Sequence, residues 1–175
     1  MIKTFPIKNV EDIERIKQKY REKGLYVDLL MFLLVINTGL KMTALFDMKV
    51  SQIKGKKYIQ VAKGITYLLT DEIMELVSIV TKEKEMTDFV FTRRNKTKAS
   101  RYYYYVNFKD VCAELGLYNI SVDSWRRTFG YHHYQKYKDL FFLQWYFNQN
   151  TAELAMEYID IRESLSSRFQ QGLKF

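Results

Sequence analysis

Proline, cysteine and glycine are scarce in this 175-residue chain, which has one Pro, one Cys and seven Gly. So little Gly and Pro excludes a collagen-like or low-complexity polymer, and no Pro-rich linker divides the sequence. The lone cysteine, Cys112, excludes a disulfide framework and any zinc site built mainly from Cys. The longest apolar run, Leu29 to Ile36, is too short to span a bilayer. The first residues, MIKTFPIKNVEDIERIK, lack the apolar segment of a signal peptide. A phosphate-cradling Gly loop, a metal cluster, a Ser/His/Asp arrangement and internal repeats are missing too. These absences predict a cytoplasmic protein that keeps its thiol reduced, with no membrane partner, no metal and no cofactor.

The residues present are apolar and basic. Apolar residues make up 47% of the chain and charged residues 27%, enough to build a core and too apolar for a disordered chain. The length predicts a single domain over residues 1–175. Lys and Arg number 28 against 20 acids, a net charge of +8, and the excess is local. No acid lies between Asp47 and Asp71, a stretch that holds Lys49, Lys54, Lys56, Lys57 and Lys63. A second acid-free stretch, between Asp88 and Asp110, holds Arg93, Arg94, Lys96, Lys98, Arg101 and Lys109. Two such windows are the footprint of a polyanion partner, though a pair of solvated basic loops would look the same.

Helical periodicity dominates the rest. Asn9 is placed to cap a helix with Val10, Ile13, Ile16 and Tyr20 inward, ended by Gly24. Leu25 to Asn37, apolar on nearly every side, predicts a central buried helix ended by Gly39. Met42 to Met48 predicts a short helix. The β-branched and aromatic stretch that follows, with Lys-Gly turns at Lys54-Gly55 and Lys63-Gly64, predicts a three-stranded antiparallel meander over 49–53, 57–62 and 65–69. Thr70, Ser100, either Ser121 or Asp123, Asp139 and Thr151 are caps of further helices, and a last helix is expected from Arg162 to Gln171. The fold class is α+β, mainly helical, with a small sheet at one edge. Tyrosines 102–105 cover every face of a helical turn. Two are expected in the core and two at the surface, where they would be free to stack on bases.

The order of these features resembles the catalytic domain of the tyrosine recombinases, the phage-integrase family. LLVINTGLKMTALFDMKVSQI is similar to its box I, where an apolar helix runs into T-G-L-R. YIQVAKGITYLLTDEIMEL is similar to the hairpin that bears the family's lysine. ISVDSWRRTFGYHH is similar to box II, usually H-x-x-R-H-T-F-A-T-H, and FNQNTAELAMEYIDI to the closing box with its nucleophilic tyrosine. The resemblance runs from about Val10 to the end. It implies a domain without the family's usual separate N-terminal DNA-clamping domain, and a C-terminal tail helix over 162–175.

In that family a tyrosine hydroxyl attacks a DNA phosphodiester to form a 3′-phosphotyrosine. Two arginines clamp the non-bridging oxygens, because a planar fork matches phosphate. A lysine protonates the departing 5′ oxygen, and a box II His or Lys assists the proton transfer from tyrosine. Carried over residue by residue, Tyr158 stands at the nucleophile and Arg126 at the box II arginine. Lys63 is the best match to the lysine acid, with Lys57 the alternative. Three positions depart: Lys41 replaces the box I arginine, Asp123 the box II His or Lys, and Gln149 the last-box His or Trp. Losing the fork at position 41 should weaken transition-state binding by about 2–4 kcal/mol if it compares with losing one oxyanion donor. Asp123 would repel phosphate unless paired with Arg126 or Arg127; as a helix cap it would do no chemistry. Gln149 keeps a neutral donor. Arg127 adds a cation where box II often has His, His132 falls on a packing position, and His133 has no assigned role. Lys54, Lys56, Lys57, Arg93, Arg94, Lys96, Lys98, Arg101 and Arg127 are the candidate DNA contacts.

Three functional readings follow. The first is a double-stranded-DNA-binding protein of recombinase fold, catalytically impaired, that regulates a mobile element or assists its recombination. The second is an active minimal recombinase working through Tyr158. The third is an interaction module: Ile161, Leu165, Phe169 and Leu173, at helical spacing, would join copies into a homo-oligomer through the tail.

Overall fold

The helix that is apolar on all sides becomes the axis of the molecule. In the computed structural model, which describes residues 4–60, 64–92 and 99–161, α2 (Tyr26–Thr38) has Leu29 to Val35 buried without a break. A helix buried all round must be enclosed by others. Around it stand α1 (Val10–Glu22), α3 (Met42–Phe46), α4 (Asp71–Val80) and α6 (Val122–Tyr137). α5 (Arg101–Leu115) fills in against α1 and α6. The last pair, α7 (Leu140–Phe147) and α8 (Ala152–Tyr158), pack on each other, and α7 also meets α6. Phe32, Phe108 and Trp125 interlock at the centre, with Phe32 5.5 Å and Phe108 5.1 Å from the indole. Each such ring taken fully out of water stabilises the fold by about 1.5–3 kcal/mol. No helix among the described residues is long and apolar enough to cross a membrane.

Side-chain caps start the helices where the sequence places them. Asn9, Thr70, Ser100, Asp139 and Thr151 each accept a hydrogen bond from a backbone N–H of the first turn. Of the two candidates before α6, Ser121 is the cap, and Asp123 sits inside the first turn. The tyrosine run divides as expected: Tyr104 is buried and Tyr103 half-buried, while Tyr102 and Tyr105 are exposed. Val10 does not join the inward stripe of α1; it is 60% exposed, at the start of the helix.

The sheet is smaller than the sequence predicts. Two antiparallel strands form, β1 (Tyr58–Gln60) and β2 (Thr66–Leu68), with Ile59 opposite Tyr67. The expected first strand, 49–53, instead makes one bridge from Lys49 to Phe89 and then a 3-10 turn, Val50–Gln52. Its donors go elsewhere: Val50 N–H to Asp88 C=O and Ser51 N–H to Met86 C=O, while Gln52 Oε1 accepts the N–H of Lys49. A segment so committed has no ladder left to offer β1. The expected terminal helix and tail, 162–175, lie outside the described residues.

The N-terminal segment straps the far end of the chain to α6. Ile7 donates its N–H to Thr128 Oγ1, and its C=O lies 2.9 Å from His132 Nε2. Lys8 pairs with the Asp160 carboxylate at 2.7 Å.

One carboxyl breaks the apolar pattern of α2. Asp28 is 1% exposed, accepts hydrogen bonds from Asn107 Nδ2 and Tyr103 Oη, and is pushed up to about 6 by burial. A folded-state value above the unfolded one means that the folded chain holds a proton which the unfolded chain has lost between about pH 4 and 6. Stability contributed by this site therefore falls as pH rises through that window, and the full cost of the buried anion is present above it. Asp28→Asn keeps both partners and should be more stable than wild type at pH 7 by about 1–3 kcal/mol, with the gain vanishing near pH 4. Chemical denaturation at the two pH values checks this; equal effects at both would contradict it.

Candidate functional site

Gly39 closes α2 in the left-handed conformation, with φ +66°, and turns the chain toward α6. A Cβ here would lie 2.4 Å from a carbon of Phe129 and 2.8 Å from one of Tyr146, so only glycine allows the approach. Its carbonyl accepts the Nε–H of Arg126 at 2.7 Å, across 87 residues of sequence. Arg126 Nη2 also donates to Tyr146 C=O at 3.4 Å. Tyr146 is fixed in turn, its hydroxyl donating to Thr38 C=O at 2.6 Å. Beneath the guanidinium lies Phe147, whose ring centroid is 4.6 Å away, a cation–π contact worth about 0.5–2 kcal/mol. Of five N–H donors, two are used to hold the side chain in place. Both on Nη1 and one on Nη2 are uncommitted among the described residues.

These groups line a cavity of about 350 Å³. Leu40, Lys41, Thr43 and Ala44, at the start of α3, and Asn148 line it as well. Lys41 and Arg126 thus share a space although they come from different ends of the sequence. Among the described residues neither is paired with a carboxylate. Two unneutralised cations lining one small hollow favour an anion with several oxygens.

Tyr158 also packs on Phe147. It is the last residue of α8, half-buried, and its ring centroid is 4.8 Å from that of Phe147. Gly130 makes room for Phe147 and Ile159, since a Cβ there would meet Phe147 at 2.6 Å and Ile159 at 2.5 Å. Phe147 therefore lines the cavity and touches both Arg126 and Tyr158.

The phage integrase family model matches residues 8–164 of the chain. The chain belongs to the phage integrase family. A probable integrase/recombinase of Bacillus subtilis (strain 168), YoeC, is 27% identical over 164 residues, covering 90% of each protein. In fold the integrase chain is similar to XerA recombinase, with a TM-score of 0.74 at 11% identity over 98% of this chain and 66% of that one. A Tn1549 transposon integrase in complex with circular intermediate DNA gives 0.69 at 12% identity, over 94% of this chain and 64% of that one. A lambda integrase dimer bound to a core site gives 0.63 at 17% identity, over the whole of this chain and 51% of the other. The chain spans about two thirds or less of the length of these solved structures.

The remaining candidate residues are dispersed. Asp123 does not line the Lys41–Arg126 cavity. It pairs with Arg101 and borders a different, larger cavity of about 600 Å³ between α5 and the loop before α6, beside Tyr105, Lys109 and Cys112. Gln149 follows Asn148 and donates its backbone N–H to Gln144 C=O. Arg127 donates to the backbone carbonyl of Tyr158. Lys54 donates to Thr81 C=O at the end of α4, while Lys56 and Lys57 are exposed beside β1. Lys63, Arg93, Arg94, Lys96 and Lys98 lie outside the described residues. His132 is bonded to the N-terminal segment, and His133 stacks on Phe142, burial holding its pKa below the usual histidine range.

Sequence reasoning missed Gly39, Tyr146, Phe147 and Asn148 as parts of the site. Gly39 was legible only as a helix stop, and LFFLQWYF only as apolar. Asn148 carried a usable signal: an Asn just past an apolar helix suits the left-handed turn it adopts, with φ +58°. Replacing Gly39 by Ala adds both backbone strain and an overlap with Phe129, and should cost about 2–4 kcal/mol. Thermal unfolding checks this, and a wild-type melting temperature would contradict the close packing described.

Proposed function

We propose that this chain binds duplex DNA with a backbone phosphate seated between Lys41 and Arg126, and that its strand cleavage through Tyr158 is impaired. Its role on this reading is regulation or assistance of a mobile element's recombination. The observation that carries the reading is the convergence of Lys41 and Arg126, unpaired with carboxylates, on one cavity of about 350 Å³. The exposed Lys56 and Lys57 beside the hairpin add charge for further phosphates.

The step that would be impaired is transesterification. The Tyr158 oxygen attacks phosphorus, the bond from phosphorus to the 5′ oxygen breaks, and the tyrosine proton leaves to a base. The departing 5′ oxygen takes a proton from Lys63. Charge builds on the non-bridging oxygens, where Arg126 offers its open donors and Lys41 offers a point charge in place of a fork. With Asp123 paired to Arg101 beside another cavity, no imidazole or ammonium stands at that position to help the proton away. These features support slow rather than absent chemistry. Self-association through residues 162–175 belongs to the same reading, since Leu165, Phe169 and Leu173 continue the spacing begun at Ile161.

Fluorescence anisotropy with a duplex at several salt concentrations tests binding, and a nicked suicide duplex tests cleavage. Wild type should bind with a steep salt dependence and form a covalent adduct slowly. Arg126→Ala should weaken both. Lys41→Arg should speed adduct formation by at least about tenfold, on the scale of a restored oxyanion donor, and Tyr158→Phe should abolish it. No binding at low salt would overturn the proposal; a fast wild-type adduct that Lys41→Arg does not improve would favour the active-recombinase reading. Ending the chain at Ile161 should lower the mass of the DNA complex by more than the missing tails, and a mass unchanged beyond them would contradict association through the tail.

A further inference from the structure

Arg126 and Arg127 are neighbours in α6 but face different partners. Arg126 reaches the cavity; Arg127 reaches the end of α8. Its Nη1 donates to the carbonyl of Tyr158 at 2.7 Å, and its guanidinium carbon lies 4.5 Å from the centroid of the same residue's ring. Its Nε is buried with no acceptor among the described residues. One side chain thus grips both the backbone and the ring of one tyrosine. The carbonyl it takes is among the last of α8, which have no partner within the helix, and a cation there is favoured by the helix dipole. Two residues on, Lys8 holds Asp160 by its carbonyl and its carboxylate. Phe147 packs on the same ring, with centroids 4.8 Å apart.

We propose that Arg127 is a positioning residue for Tyr158, not a DNA contact: it fixes the phenol against Phe147, beside the Arg126 cavity, before DNA arrives. The proposal rests on the reading of Tyr158 as the reacting phenol, and it accounts for a planar cation at this place. A lysine could bond the carbonyl or sit over the ring, whereas a guanidinium does both at once. A side chain turned inward with a buried Nε is poorly placed to neutralise a phosphate.

The experiment uses the full chain carrying 3-fluorotyrosine at position 158, as wild type, Arg127→Lys and Arg127→Ala. Three readouts are taken: hydrogen exchange of α8 and the fluorine resonance without DNA, the salt slope of duplex binding, and the adduct rate on a saturating nicked duplex. Arg127→Ala should speed α8 exchange at least tenfold, shift or broaden the fluorine line, and cut the adduct rate at least tenfold. The salt slope should stay within half a unit of wild type. Arg127→Lys should recover part of the exchange protection and part of the rate. It also serves as the folded comparator if Arg127→Ala is unstable. An unchanged fluorine line and unchanged exchange, with a salt slope lower by about one, would overturn the proposal and make Arg127 a phosphate contact. Faster exchange with an unchanged adduct rate would reduce Arg127 to a structural tie and overturn it equally. If wild type forms no adduct, the cleavage reading fails by itself, and the fluorine line and exchange still decide whether Arg127 fixes Tyr158.

Discussion

The bond from Arg126 Nε to the carbonyl of Gly39 is the constraint on which the site depends. It joins the end of the central helix to α6, and it exists only because Gly39 lacks a side chain where Phe129 and Tyr146 press in. A buried carbonyl that takes a charged donor is doubly satisfied, in hydrogen bonding and in charge. The arginine is immobilised by its inner edge, so its outer edge is offered without the entropy cost of ordering a free side chain. Phe147 then extends this order to Tyr158, which Arg127 also contacts.

Charge is sorted on the same principle. All four lysines and arginines of α1 are paired with acids, in surface bridges that add little stability. Asp123, three residues before Arg126 on the same helix, is drawn away to Arg101. Had it turned toward Arg126, it would have occupied that side chain's open donors. The acid nearest to Arg126 in sequence thus has another partner. Asp28, by contrast, lies deep in the core with hydroxyl and amide donors for company, and burial keeps its proton more firmly bound than usual.

Much of the fold was legible because helix signals are local. The caps at Asn9, Thr70, Ser100, Asp139 and Thr151 and the stop at Gly39 are written in single residues. The missing third strand was not legible. Residues 49–53 have strand-like side chains, and only the distant carbonyls of Met86 and Asp88 decide that their donors go elsewhere. In the site, the charged residues stood out by type and order, but their supports did not. Nothing in an apolar octet marks which ring will lie under an arginine, and Asp123 reads as a neighbour of Arg126 until α5 brings Arg101 beside it. Arg127 reads in the sequence as a further cation, and only the structure gives its side chain a direction, toward the carbonyl and ring of Tyr158.

The claim at the centre of this account is that Lys41 and Arg126 together hold a DNA phosphate. A crystal structure of the chain with a short duplex tests it most directly. The account predicts a backbone phosphate in the hollow between α3 and α6, its non-bridging oxygens at about 2.7–2.9 Å from the outer nitrogens of Arg126 and within reach of the Lys41 ammonium. A duplex seated on another face, with this hollow open to solvent, would contradict it.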